Sequence, residues 1–176
     1  NGVSKFDGEY FTNYNSSSGL SGDIVLCLYE STNGDMWFGT YLGGVTKFDG
    51  EKFSHFTTEE GLSNNTIHAI IEDTLGRIYF GTKGGGLSIY DGETITHYTK
   101  REGLSDNYIL SLFEDSKGQI WAGCEGTGLN KFSADTIRTY NVSHGLSNNI
   151  IWSIVEDNNG DLWIGTEKGL NNFSMN

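Results

Sequence analysis

Long hydrophobic runs, cysteines and basic charge are all scarce in this sequence, and each shortage removes a class of function. No stretch approaches the roughly 18 consecutive apolar residues that a membrane helix needs, and no charged-then-apolar leader resembles a signal peptide. Eleven basic residues stand against 23 acidic ones, a net charge of -12 that repels phosphate backbones, so no nucleic-acid partner is expected. Two cysteines, Cys27 and Cys124, define neither a disulfide framework nor a redox compartment. Zinc-ligand spacing, a phosphate-binding glycine loop and a nucleophile elbow are also missing, so no cofactor is expected. The chain starts at Asn1 rather than at a methionine, which points to a processed or excised segment.

What is present is repetition. "GLSGDIVLCLYESTNGDMWFGTYLGG" starts at Gly19, and relatives of it start at Gly61, Gly103 and Gly145, each 42 residues after the last. A one-residue deletion before Gly169 is the only slip. A strict period of this length implies a supersecondary unit stacked on copies of itself. With 36% hydrophobic and 13% aromatic residues, the chain can bury a core as one domain over residues 1–176.

Each unit carries four short runs of β-branched and aromatic residues separated by turn signals. In the second unit they are Thr66 to Glu72, Ile78 to Thr82, Gly86 to Tyr90 and Thr94 to Thr99, termed here strands A to D. Asp-Gly pairs at Asp7-Gly8, Asp49-Gly50 and Asp91-Gly92 predict a hairpin turn between C and D with positive φ at both central residues. The third unit departs, with Ser133-Ala134-Asp135 at that turn. Strand A is apolar on both faces: Val25, Ile67, Ile109 and Ile151 on one, Leu28, Ile70, Leu112 and Ile154 on the other. A sheet with one wet face would alternate instead, so each small sheet is expected between two others. Four-stranded antiparallel sheets packed face to face around an axis form a β-propeller. The chain begins on a C strand and a D strand and ends on A, B and C, so Glu9 to Tyr14 is expected to complete the last blade. A four-bladed ring, an eight-bladed ring made by a homodimer and a fragment of a larger ring all remain open.

The elements GLS, E-D-x-x-G, W-x-G-T and F-D-G occur in order over nearly the whole chain, which resembles the two-component regulator propeller repeat. That resemblance implies the sensor region of a bacterial hybrid histidine kinase, with an extracytoplasmic, periplasmic location. Family propellers are typically seven-bladed and followed by a transmembrane kinase, whereas this sequence has four units and no kinase.

In a propeller the D-to-A and B-to-C loops share one face, so columns that vary there are free to recognise something. The first B-to-C loop column reads Tyr41, Lys83, Glu125 and Glu167, and a strand A column reads Leu26, His68, Leu110 and Trp152. Asn65, Asn107 and Asn149 stand nearby as polar groups. Trp152 beside amides and carboxylates suits a sugar ring, which makes an oligosaccharide the expected ligand class. Glu30, Glu72, Glu114 and Glu156, at the end of every strand A, are expected to satisfy turn N–H groups. A Ca²⁺-binding ring is the alternative for these carboxylates. His55, His97 and His144 read as solvated side chains. No catalytic set stands out: Arg77, Arg101 and Arg138 fall in different parts of the repeat, unlike the clustered arginines of sialidase propellers. The expected function is non-catalytic ligand binding by a sensor propeller. The alternatives are a protein-interaction or structural module, or a propeller glycosidase or lyase.

Overall fold

The computed structural model describes residues 2–133 and 136–174. An N-terminal hairpin, β1 (Val3–Phe6) and β2 (Phe11–Tyr14), precedes four blades. Blade one is β3 (Val25–Glu30), β4 (Met36–Thr40), β5 (Val45–Phe48) and β6 (Phe53–Phe56). Blade two is β7 (Ile67–Glu72), β8 (Ile78–Thr82), β9 (Leu87–Tyr90) and β10 (Ile95–Tyr98). Blade three is β11 (Ile109–Glu114), β12 (Ile120–Cys124), β13 (Leu129–Ser133) and β14 (Thr136–Tyr140). Among the described residues blade four holds three strands, β15 (Ile151–Glu156), β16 (Leu162–Thr166) and β17 (Gly169–Phe173). All pairs are antiparallel, so the all-β propeller architecture and the A-to-D order are present.

The blades stack through their first strands: β3 packs on β7, β7 on β11 and β11 on β15. The contact is close because strand B carries a glycine where the next strand A presents an isoleucine. A Cβ on Gly81 would come within 2.8 Å of the Ile109 Cγ2, and Gly39 and Gly123 meet Ile67 and Ile151 in the same way. Around each contact lies an aromatic residue of strand B, namely Trp37, Tyr79 or Trp121, all buried. The three apolar clusters therefore lie between blades rather than inside them. Cys27 and Cys124 are free thiols in this packing, and burial pushes Cys27 up to about 12, so it is not a reactive thiolate.

Two expectations are corrected. The C-to-D turns are four-residue loops, since Tyr90 pairs with Ile95 and Phe6 with Phe11. Only their glycines, Gly8, Gly50 and Gly92, have positive φ. The aspartate works through its side chain instead: Asp91 Oδ1 accepts from the N–H groups of Glu93 and Thr94 at 2.9 and 2.7 Å, which closes the loop without a left-handed aspartate. The corresponding turn of the third unit, at Ala134 and Asp135, lies outside the described residues.

Residues 9–14 do not complete blade four. Strand β2 pairs with β1 alone, and the hairpin packs against blade one, with Tyr14 6.2 Å from both Phe48 and Phe53 and the Gly2 N–H donating to the Asp23 carbonyl at 2.7 Å. The hairpin is thus held as the outer half of a blade preceding blade one. Strand β15 has no packing on β3 comparable to the interior junctions among the described residues, so the chain is an open arc.

This arc makes equivalent positions unequal. Ile109 is fully buried between blades, whereas Val25 on blade one is only half-buried. Ile109→Ala should lower stability by about 2–5 kcal/mol and Val25→Ala by well under half of that, measured by urea unfolding. Equal losses would show that the outer face of blade one is covered in solution.

Candidate functional site

Every strand A carries a β-bulge at the same place. The register slips between Val25 and Cys27, Ile67 and Ala69, Ile109 and Ser111, and Ile151 and Ser153. The bulged residues are therefore Leu26, His68, Leu110 and Trp152, one of the columns that vary between units. A bulge leaves its extra residue out of the ladder and re-aims the side chain. This repeated irregularity frees the column from packing, and Trp152 is 57% exposed.

The first B-to-C loop column is anchored in every blade by one backbone bond. The N–H groups of Tyr41, Lys83, Glu125 and Glu167 donate to the carbonyls of Ile24, Thr66, Tyr108 and Ile150. The four side chains consequently occupy equivalent stations along the arc. Leu42, beside Tyr41, has a φ of 66°, the only positive φ of a non-glycine residue among those described. It holds this left-handed conformation while its N–H donates to Thr66 Oγ1 at 3.1 Å.

Blades one to three converge on one cluster. The Lys83 ammonium lies 5.7 Å from the ring centres of both Tyr41 and Tyr108. The Tyr108 hydroxyl is hydrogen-bonded to His68 Nε2 at 3.1 Å, with the two rings 5.2 Å apart. Among the described residues Lys83 makes no ion pair. Burial, and then the Lys83 charge, lower the His68 pKa below its ordinary value, opposed by Glu125. Burial, and then Glu125, raise that of Tyr108. The cluster thus offers a neutral imidazole, a phenol and an unpaired ammonium between aromatic faces. These groups can stack on and hydrogen-bond to a polar ring, but include no activated nucleophile.

Of the predicted residues, Tyr41, Lys83, His68 and Glu125 are brought together in this way. Trp152 and Glu167 stand at the equivalent stations of blade four. Asn65, Asn107 and Asn149 serve the loop itself: their side-chain oxygens accept from the N–H groups of Thr58, Lys100 and Val142 at 2.8–2.9 Å. Tyr108 belongs to this cluster, and the repeat comparison passed it over. Its signal was a column reading Ile24, Thr66, Tyr108 and Ile150, in which a single aromatic stands out.

The repeated carboxylates belong to the opposite end of the blades. Glu72, Glu114 and Glu156 accept from the N–H and hydroxyl of Thr32, Thr74 and Ser116 in the preceding blade, at 2.6–3.0 Å. Asp73, Asp115 and Asp157 hold their own turn and the aromatic of strand B, as in the 2.8 Å bond from Trp121 Nε1 to Asp115. Among the described residues no group of three or more histidine, cysteine, aspartate or glutamate side chains is placed to hold a metal ion.

The sequence profile of the two component regulator propeller family matches residues 19–42, 61–84, 103–126 and 145–168, more than half of the chain. The chain belongs to the two component regulator propeller family. No curated protein sequence matches this propeller. Among solved structures, it is similar to the extracellular domain of BT4673 from B. thetaiotaomicron, described as a hybrid two component system, with 25% identity and a TM-score of 0.83 over 100% of this chain and 25% of that one. The extracellular domain of BT3049 from the same organism is 26% identical, with a TM-score of 0.63 over 98% of this chain and 31% of that one. This propeller therefore spans about a quarter to a third of those chains. Similarity extends to an enzyme, streptogramin B lyase, at 20% identity and a TM-score of 0.65 over 85% of this chain and 54% of that one, which shows the fold alone.

The His68 environment has a measurable consequence. With its pKa held below 6.5, His68 binds protons less readily in the folded chain than in the unfolded one. Its contribution to stability is therefore complete above 6.5 and is lost as pH falls through the folded value. NMR titration should place the His68 pKa below 6.5, and Lys83→Met should move it upward. A value at or above 6.5 in the unaltered chain would show that the imidazole is not held this way.

Proposed function

We propose that this propeller is a non-catalytic recognition segment that binds an oligosaccharide on its loop face, in the extracytoplasmic sensor region of a bacterial two component regulator. The observation that carries the reading is the Lys83 ammonium set between the rings of Tyr41 and Tyr108, with His68 bonded to Tyr108 and Trp152 exposed further along the arc. Exposed aromatic faces stack on the apolar face of a sugar ring, and the histidine, phenol, amine and carboxylate exchange hydrogen bonds with its hydroxyls. Two of the similar structures are extracellular domains of two component systems, which supports the sensory setting and the location. A non-catalytic role is supported by the repeated acids, which are engaged in turns and blade clamps rather than placed as an acid and base pair.

A second reading, a protein-interaction face, is favoured by one feature. Ile24, Leu26 and Leu42 are exposed beside Tyr41 on the rim of blade one. A contiguous exposed apolar rim suits a protein partner better than a sugar.

A glycan array followed by calorimetric titration distinguishes them. Binding of an oligosaccharide that Lys83→Ala or Tyr41→Ala weakens by about tenfold, roughly 1–2 kcal/mol, would support the sugar reading. Silence on the array, with a protein partner captured through Leu42, would support the second. Turnover of a chromogenic glycoside or a lyase substrate would overturn both.

A further inference from the structure

Charge changes from blade to blade along the loop face. The first B-to-C loop column reads Tyr41, Lys83, Glu125 and Glu167, so one cation stands among neutral and acidic stations in a chain of net charge -12. Lys83 belongs to interior blade two, and the rings around it come from blades one and three across interior junctions. Its backbone is fixed on both sides. The Lys83 N–H donates to the Thr66 carbonyl of its own blade at 2.9 Å, and Lys83 also forms an isolated antiparallel bridge with Tyr108 of blade three. The next residue, Gly84, donates to the Asn107 carbonyl at 3.0 Å. These bonds seat the base of the side chain before any ligand arrives, which lowers the ordering cost of binding.

The ammonium has no counterion among the described residues. At the opposite end of the blades, Lys47 lies over Trp37 and Arg77 over Tyr79, and each is neutralised by a carboxylate of its own blade, Asp35 and Asp73. Lys83 lies over two rings and has no such partner. An aromatic face attracts an ammonium but carries no formal negative charge, so the charge of Lys83 is left for a ligand. Two further groups set the sign of that ligand. With its pKa below 6.5, the His68 imidazole is uncharged at neutral pH and neither cancels nor repeats the lysine charge. Glu125 occupies the next station, its N–H bonded to the Tyr108 carbonyl at 3.1 Å, and its charge reaches both His68 and Tyr108. A ligand laid from blade two to blade three therefore meets a positive group and then a negative one.

We propose that the oligosaccharide of the loop face is an acidic one, whose carboxylate or sulfate group meets the Lys83 ammonium while a neutral, hydroxyl-bearing unit faces Glu125. This rests on the sugar-binding reading above and adds to it a substrate class and a direction along the arc. A charge-assisted bond from an ammonium to an anionic oxygen is about twice as strong as one between neutral groups. The tyrosine rings on either side of Lys83 offer the apolar faces on which the same sugar unit stacks. Glu125 accepts hydrogen bonds from hydroxyls and repels a second anionic group, so a glycan charged on every unit fits less well than one that alternates acidic and neutral units.

A glycan array of acidic glycans printed beside their neutral counterparts tests this, with galacturonosyl-rhamnose against its methyl ester for the carboxylate and monosulfated lactose against lactose for the sulfate. The anionic member of a pair should bind about tenfold more tightly than the neutral one, by a margin that shrinks as salt is raised. Lys83→Met should erase that margin, and Lys83→Arg, which keeps the charge, should retain it. Lys83 is exposed, so both variants should keep the melting temperature of the unaltered chain. Digalacturonate, charged on both units, should bind more weakly than galacturonosyl-rhamnose, and Glu125→Gln should remove that difference. Equal binding of the charged and neutral members would overturn the proposal while the sugar reading stands. A margin that survives Lys83→Met would also overturn it, since the anionic group would then sit elsewhere. Silence across the whole array would overturn the proposal and the sugar reading together.

Discussion

The close approach of a strand B glycine to the isoleucine of the following strand A is the contact on which the rest of this arc depends. With no side chain on the glycine, two sheets come near enough for Ile67, Ile109 and Ile151 to be fully buried, and the aromatic column then fills the wider space around them. A four-stranded sheet of strands this short has too little surface to form a core by itself. Its apolar residues are instead shared with both neighbours, so stability belongs to the junctions rather than to the blades. For the same reason a terminal blade leaves one apolar face uncovered.

The two ends of each blade divide the work. At the A-to-B turns the same acids recur because each does the same structural task, with aspartate closing the turn inside a blade and glutamate reaching back to the turn of the preceding blade. At the loop end the backbone is repeated just as strictly, through the bulge and the single N–H bond of each B-to-C loop, but the side chains placed there differ. A constant frame that presents variable side chains is an arrangement suited to recognition, because changing a displayed residue leaves the junction intact. Lys83, His68 and Tyr108 illustrate this: none fills a core position, yet all three are fixed relative to one another by the packing of blades two and three.

Much of this was legible in the repeat. The period, the strand order and the double-sided apolar character of strand A are local patterns, and the described strands of blade two fall within a residue of the expected limits. The Asp-Gly turns were placed correctly but with the wrong geometry, because the aspartate side chain, not its backbone, completes the loop. The loop-face cluster was half legible. Column comparison singled out Tyr41, Lys83, His68 and Glu125, but also drew in Asn65, Asn107 and Asn149, which are engaged by their own loops and are indistinguishable by sequence from free amides. Tyr108 escaped because it precedes the strand and stands outside both columns compared.

The sequence by itself determined the blade, because short runs of β-branched and aromatic residues, turn residues and period act over a few residues and are repeated four times. Only the tertiary structure decided what lies next to what. Tyr108 meets His68 across 40 residues of chain because the packing of adjacent blades sets that distance. The N-terminal hairpin binds blade one, where Phe48 and Phe53 receive Tyr14, because the arc holds blade four away from it. Contacts of that kind depend on the angle between sheets, which is the sum of many side-chain packings and is written in no single repeat.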